Sequence, residues 1–235
     1  MNILAFDTCF GAVSAALRWR DTGGAPRLRE AYEERATGHA ERLFPMLAEV
    51  MDAAGLPFSA IDRIAVTLGP GTFTGVRVGI AAARALALAL GKPVAGITSL
   101  SAMALRAEAL LAGQHASCQL VVAVDARRDM LYVQSFAAGG KETSEALLLA
   151  PEEAAVRIAS DGAVAVGSGA AALAAAAHRQ GGEVHACLPG LQPHARSLAE
   201  VASGLDPIAP LRPLYLRAPD AKLPGAPPPL APSRP

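Results

Sequence analysis

The chain has 235 residues, 52% of them hydrophobic, with 21 basic and 21 acidic side chains and no formal net charge. That profile excludes a disordered chain and a disulfide-stapled miniprotein, and it excludes attachment to nucleic acid or anionic membrane by bulk charge alone. Cys9, Cys118 and Cys187 are far apart and form no CxxC pair, which argues against a zinc knuckle and fits a reducing, cytoplasmic setting.

Residues 2–6, apolar from Ile3 on, predict a strand ending at Asp7. A polar turn, Thr8-Cys9-Phe10-Gly11, leads into a second strand over 12–19. The hairpin signal Asp21-Thr22-Gly23-Gly24 follows, and 28–33 makes a third strand. A helix is predicted from Thr37-Gly38-His39 to about residue 54, where Gly55 stops it. Leu43, Leu47, Val50, Met51 and Ala54 share one face. Phe44 and Met46 fall off it, which predicts a second contact surface, and Pro45 predicts a kink because its ring removes an amide hydrogen bond. No secretory leader is expected, since the opening has no basic segment and Asp7 interrupts its apolar run.

Residues 64–103 organise the chain. A buried strand over 64–68 runs into Gly69-Pro70-Gly71-Thr72-Phe73-Thr74-Gly75, whose glycines allow close approach to another surface. Thr72 or Thr74 caps the next helix, 76–90, which stops at Gly91 with Pro93 beyond. Val76, Ile80, Ala83, Ala87 and Leu90 make one apolar stripe, and Val78, Ala82, Leu86 and Ala89 another. Arg77 and Arg84, seven apart, share a face. A helix so apolar is buried on more than one side, either within its own domain or between its sheet and a partner. A strand over 94–97 and a helix capped by Thr98 or Ser99 complete an α/β unit on a mostly parallel sheet. No membrane span is expected, because the apolar stretches are rich in Ala and Gly or carry Arg84.

After a helix end and connector over 107–117, the opening pattern returns. A strand over 119–124 ends at Asp125, Ala126-Arg127-Arg128-Asp129 makes a turn, and 130–136 runs back. Then come a turn over 138–141, a short helix over 151–158, a strand over 163–166, and Gly167-Ser168-Gly169 before an alanine-rich helix to about 180. A last helix opens at Pro193-His194 and ends at Gly204. Residues 211–217 are extended, and a proline-rich disordered tail follows. The expected units are an N-terminal lobe (1–103), a C-terminal lobe (104–218) and the tail (219–235).

Two halves that each open with strand, terminal Asp, turn and strand suggest the α/β architecture of the actin-like ATPase (ASKHA) superfamily, two lobes each built on a mixed sheet with flanking helices. Proteins of that fold hold ATP phosphates between the two hairpin turns and adenosine at a glycine-rich turn. Asp7, Thr8 and Gly11 would form the first phosphate turn, Asp125 would begin the second, and Gly167 and Gly169 would form the adenosine turn. The second turn has no glycine and wraps a phosphate poorly, although its arginines could reach one through side chains. No acid–base pair, nucleophile or lysine is staged for phosphoryl transfer, and the 69–75 loop lacks the Lys-Ser/Thr ending of a Walker loop. The five histidines include no pair at i, i+4 and no HExxH, so no metal site is expected. The reading assigns no cofactor and leaves weak ATP or ADP binding open. A small ATPase or kinase of the same fold is the alternative.

Four motifs in order, Ile3-Leu4-Ala5-Phe6-Asp7-Thr8, His39-Ala40-Glu41-Arg42-Leu43-Phe44-Pro45-Met46, Gly69-Pro70-Gly71-Thr72-Phe73-Thr74-Gly75-Val76-Arg77-Val78-Gly79 and Pro213-Leu214-Tyr215-Leu216-Arg217, resemble the TsaB (formerly YeaZ) family over residues 1 to about 218. The resemblance implies a non-catalytic paralogue of TsaD, the enzyme that places threonylcarbamoyl on adenosine 37 of tRNAs reading ANN codons. The metal-binding histidines of TsaD fall here on Ser99 and Met103, neither a usable ligand for a hard or borderline cation. The implied partners are TsaD in a heterodimer, TsaE through the complex, tRNA indirectly, and a second copy when the chain is alone. The family's partner surface lies on the first two helices, which implies His39, Leu43, Met46, Leu47, Arg77, Ala81, Arg84 and Leu88. On this reading an arginine at Leu47 or Ala81 abolishes association and leaves the fold intact.

Overall fold

A computed structural model describes residues 1–111, 118–137 and 140–217. The proline-rich tail, and parts of the 107–117 connector and the 138–141 turn, lie outside the described residues. The first sheet comprises β1 (Ile3–Asp7), β2 (Ala12–Arg20), β3 (Pro26–Glu34), β4 (Arg63–Thr67) and β5 (Val94–Ile97), in the order β3-β2-β1-β4-β5. β1–β2–β3 is an antiparallel meander, with Asp7 opposite Ser14, and β4 and β5 add in parallel. The second sheet repeats this plan. β6 (Leu120–Asp125) pairs antiparallel with β7 (Leu131–Ala137), and β10 (Ala163–Val166) and β11 (Val184–Cys187) add in parallel. Two short strands, β8 (Lys141–Glu142) and β9 (Leu147–Leu149), share the outer edge of β7. β8 and β9 carry too few residues for a visible alternation, β11 is not a buried apolar run like β10, and no strand is predicted there.

The apolar strands follow from burial on both faces. Ile3 and Ala5 of β1 pack with Ala195, Leu198 and Ala199 of α6 (Ala195–Val201), while Leu4 and Phe6 pack toward α1 (His39–Asp52) and α2 (Phe73–Leu90). A strand covered on both sides shows a continuous hydrophobic run instead of alternation. α3 (Ser99–Leu111) covers the inner face of the second sheet through Leu100, Met103 and Ala104, and α4 (Pro151–Arg157) and α5 (Ala170–Arg179) cover its outer face. The layers therefore run α1/α2, first sheet, α6/α3, second sheet, α4/α5. α6, late in the chain, packs on the first sheet.

The expected caps form. Thr72 Oγ1 accepts from Gly75 N–H at 3.1 Å, Thr98 Oγ1 accepts from Ser101 N–H at 2.8 Å, and Gly91 ends α2 at φ 65°. α2 begins three residues earlier than the pattern suggests, at Phe73. Its length and composition would suffice to cross a membrane, but Val76, Ile80, Ala83 and Leu86 are buried in the core of the first lobe. Residues 208–217 return along the first lobe as a strap. Ile208 N–H bonds to Val94 O at 2.8 Å and Leu214 N–H to Leu68 O at 2.7 Å.

Candidate functional site: a filled turn and an open helix face

The β1–β2 turn is occupied by the chain itself. Thr72 N–H donates to Cys9 O at 2.7 Å, and the buried Thr8 hydroxyl donates to Gly75 O at 2.7 Å. The glycine loop lies so close that a Cβ on Gly71 would meet Cys9 O at 2.4 Å, and one on Gly75 would meet Thr8 O at 2.1 Å. The close approach that the glycines predict is thus an approach to the chain's own turn. Gly11 N–H, expected to face a phosphate, donates to Gln192 Oε1 at 2.9 Å.

Asp7 is fully buried. Its Oδ1 accepts from the Thr67 hydroxyl and from Cys9 N–H, while its Oδ2 has no partner among the described residues. Burial raises its carboxyl above the ordinary value, and the hydrogen bonds from Thr67 and Cys9 offset only part of that. Burial, then the neighbouring Asp7 carboxylate, pushes the Cys9 thiol up as well, so it is no ready nucleophile.

The β6–β7 turn differs. Asp125 is exposed, with its Oδ1 accepting from Arg127 N–H at 2.7 Å and its own N–H donating to Ser168 Oγ at 3.0 Å. Arg127, Arg128 and Asp129 sit at φ 62°, 55° and 55°. The adenosine-turn glycines bond within the lobe, Gly167 N–H to Leu188 O at 3.2 Å and Gly169 N–H to Ala123 O at 3.0 Å. Of the six expected cleft residues, Asp125 alone lines the cavity at the mouth between the lobes. That cavity, about 500 Å³, is bounded by the glycine loop, the second turn and the strap.

The positions inferred for metal ligands in the related enzyme are core positions here. Ser99 Oγ donates to Pro70 O, and Met103 is buried near Gly167. Among the described residues no group of three or more His, Cys, Asp and Glu could hold a metal ion.

The eight residues expected at a partner surface divide. Leu43, Met46 and Leu47 are fully buried in the first lobe's core, and His39 is buried with Nε2 2.8 Å from Phe10 O. The inward stripe of α1 takes in positions 39, 43, 46, 47, 50 and 51, so Met46 faces the core and Phe44, 48% exposed, faces out. Leu47→Arg would therefore break the core, contrary to the expectation of an intact fold. Arg77 and Arg84 hold the strap. Arg77 Nε donates to Tyr215 Oη at 2.9 Å with its guanidinium 3.4 Å from the Phe73 ring centroid, and Arg84 donates to Leu211 O. Sequence reasoning missed this role, although both the Arg spacing and the Pro213–Arg217 motif carry it. Ala81 and Leu88 are left facing solvent, Leu88 at 87% exposure.

Two lobes that repeat one strand order and present paired hairpin turns to a common mouth define an actin-like α/β protein. The family model for TsaD, tRNA N6-adenosine threonylcarbamoyltransferase, matches residues 33–189. The tRNA threonylcarbamoyladenosine biosynthesis protein TsaB of Haemophilus influenzae is 33% identical over 183 residues, 73% of this chain and 74% of that protein. The structure of YeaZ from Pseudomonas aeruginosa superposes with a TM-score of 0.75 at 31% identity, covering 92% of this chain and 99% of that one. A TsaD-type transferase of Erythrobacter litoralis is 44% identical over 86 residues, 37% of this chain and 25% of that protein. The chain belongs to the TsaB (YeaZ) family, which is related to TsaD.

Proposed function

We propose that this chain acts in forming threonylcarbamoyladenosine on tRNA as a non-catalytic scaffold and activator of TsaD, docking through the outer face of α1 and α2. The observation that carries this reading is the exposed apolar face itself. Phe44 at 48% and Leu88 at 87% exposure stand with Ala81 on helices whose inner sides already fill the core. Apolar side chains left exposed on helices whose other faces are already packed are the usual mark of a protein interface. The same face pairs two copies when the chain is alone, and TsaE and tRNA join mainly through TsaD, in the cytoplasm.

The cleft supports the non-catalytic half of the reading. Cys9 N–H is held by Asp7, Gly11 N–H by Gln192, and Asp7 itself is fully buried, so the first turn has two of its amides engaged and no accessible carboxylate for Mg²⁺. This supports the reading that assigns the chain no nucleotide cofactor.

An omission assay tests the proposal. TsaD, TsaE, the threonylcarbamoyl-adenylate synthase, ATP, threonine, bicarbonate and tRNA are combined with wild type, with Leu88→Arg, or without the chain, and modified adenosine is measured by mass spectrometry. Wild type is expected to restore product. Leu88→Arg is expected to lose it by at least about tenfold, the scale of a central interface residue, while melting like wild type. Equal product without the chain would overturn the scaffold role. ATP turnover by the chain alone would then support the kinase or ATPase alternative.

A further inference from the structure

The mouth between the lobes combines features that neither the fold nor the docking face requires. The cavity there is about 500 Å³, within the range of small-ligand sites. Aromatic rings line it from three directions. Phe10 and Tyr132 stand 6.4 Å apart and tilted at 45°, while Phe73 and Tyr215 are stacked at 5.8 Å. Phe73 and Tyr215 are 48% and 40% exposed, so aromatic surface is left open to solvent at the entrance.

Arg127 and Arg217 both line the same rim. Arg217 Nη2 donates to Arg127 O at 3.3 Å, and Arg127 N–H donates to Asp125 Oδ1 at 2.7 Å. The turn that presents Arg127 holds three consecutive non-glycine residues in the left-handed region. That conformation costs about 1–2 kcal/mol per residue, and strain of this kind concentrates at functional sites. A glycine-bearing turn would close the hairpin without it. Asp125, also on the rim, offers a carboxylate acceptor.

We propose that this cavity binds one unstacked nucleobase of a single-stranded RNA, with Arg127 and Arg217 on the flanking phosphates. Aromatic faces accept any base by stacking, guanidiniums take phosphate through paired N–H donors, and Asp125 accepts from a base N–H or amino group. A free nucleoside di- or triphosphate is disfavoured, because the first turn's Gly11 amide is already spent on Gln192. A protein side chain is disfavoured, because two arginines line the rim and four aromatic rings line the walls, with Pro70, Ala126, Leu214 and Leu216 the aliphatic lining. The inference goes beyond the scaffold reading and rests on it only for why RNA is at hand. The test uses the chain alone, so it can fail while the omission assay succeeds, and the reverse.

Fluorescence anisotropy of a fluorescein-labelled RNA heptamer of mixed sequence, titrated with the full chain at low salt, reads the site. Wild type is expected to bind the single strand at least about tenfold more tightly than the same sequence as a duplex. Arg127→Ala/Arg217→Ala should weaken binding about tenfold and lower the slope of log affinity against log salt by about 1.4, two phosphate contacts at about 0.7 each. Tyr215→Ala, a partly exposed side chain, should also cost about tenfold, within the range for one stacked base. Each variant is compared only if it melts within a degree or two of wild type; the conservative Arg127→Lys/Arg217→Lys pair replaces any that does not and should keep the salt slope. The proposal is overturned if wild type does not bind the heptamer, if the double variant binds it equally, or if AMP displaces it at matching affinity, which would mark a free-nucleotide site. It is also overturned if the arginine variant loses TsaD but not RNA.

Discussion

The first lobe closes its β1–β2 turn with its own glycine loop, whereas the second lobe leaves the equivalent β6–β7 turn bare. In the first, Thr8, Cys9 and Gly11 all bond to distant parts of the chain, and Asp7 is fully buried. In the second, Asp125 is exposed, Asp125 and Arg127 bond to each other, and they also bond to Ser168 and to the strap. One topological element, used twice, has become a structural joint in one lobe and an accessible rim in the other. The same topological turn is thus filled by packing in one lobe and open in the other, with the Asp7 carboxylate kept but fully buried.

The comparison breaks most sharply at the glycine loop. Gly75→Ala sets a Cβ 2.1 Å from Thr8 O, so backbone must move. The expected loss is about 3 kcal/mol or more, at the upper end for overpacking, read from urea unfolding.

Asp7→Asn sharpens the same contrast through pH. Burial raises the Asp7 carboxyl above its ordinary 3.8, so over the window between that value and the raised one the folded chain holds a proton that the unfolded chain has lost. Stability from this group is complete below the ordinary value and is lost as pH rises through the raised one. Asp7→Asn should therefore raise the unfolding midpoint at pH 8, with the gain fading toward pH 4.

Gln192→Ala removes the acceptor that covers Gly11 N–H. About 1 kcal/mol of stability should go with it, a typical hydrogen-bond contribution, and amide exchange at Gly11 should quicken. A change confined to exchange, with the midpoint untouched, would mean that water replaces Gln192 freely and the first turn is less sealed than its geometry indicates.

The smallest effect is expected in the second turn. Asp129→Gly relieves one left-handed residue, φ 55°, and should raise stability by about 0.5 kcal/mol, a modest gain because Asp tolerates that conformation better than most side chains. A loss on thermal melting would show that Asp129 makes a contact that the turn depends on.

Much of this molecule was legible in its residues because the deciding physics is local. The opening meander, the echo of strand, Asp, turn and strand, the Thr72 cap, the Gly91 stop and the short α4 all follow from neighbours a few positions apart. β8 and β9 were not legible, because two or three residues cannot display a period, and neither was β11, whose four residues are not a buried apolar run like β10; long-range pairing defines all three.

The site divides along the same line. That the glycine loop meets a surface closely is written in its composition. That the surface is Thr8–Cys9, 67 positions from Gly75 in the case of Thr8, is not. The apolar excess on α1 and α2 announces two faces, but periodicity alone cannot say which one the sheet takes. The structure assigned Leu43, Met46 and Leu47 to the core, set Arg77 and Arg84 on the strap, and left Phe44, Ala81 and Leu88 outside. The sequence by itself determined the order and kind of elements, the doubled α/β plan and the family. Only the tertiary structure decided which turn is filled and which helix face is open, because both depend on contacts between segments whose separation along the chain carries no local signature.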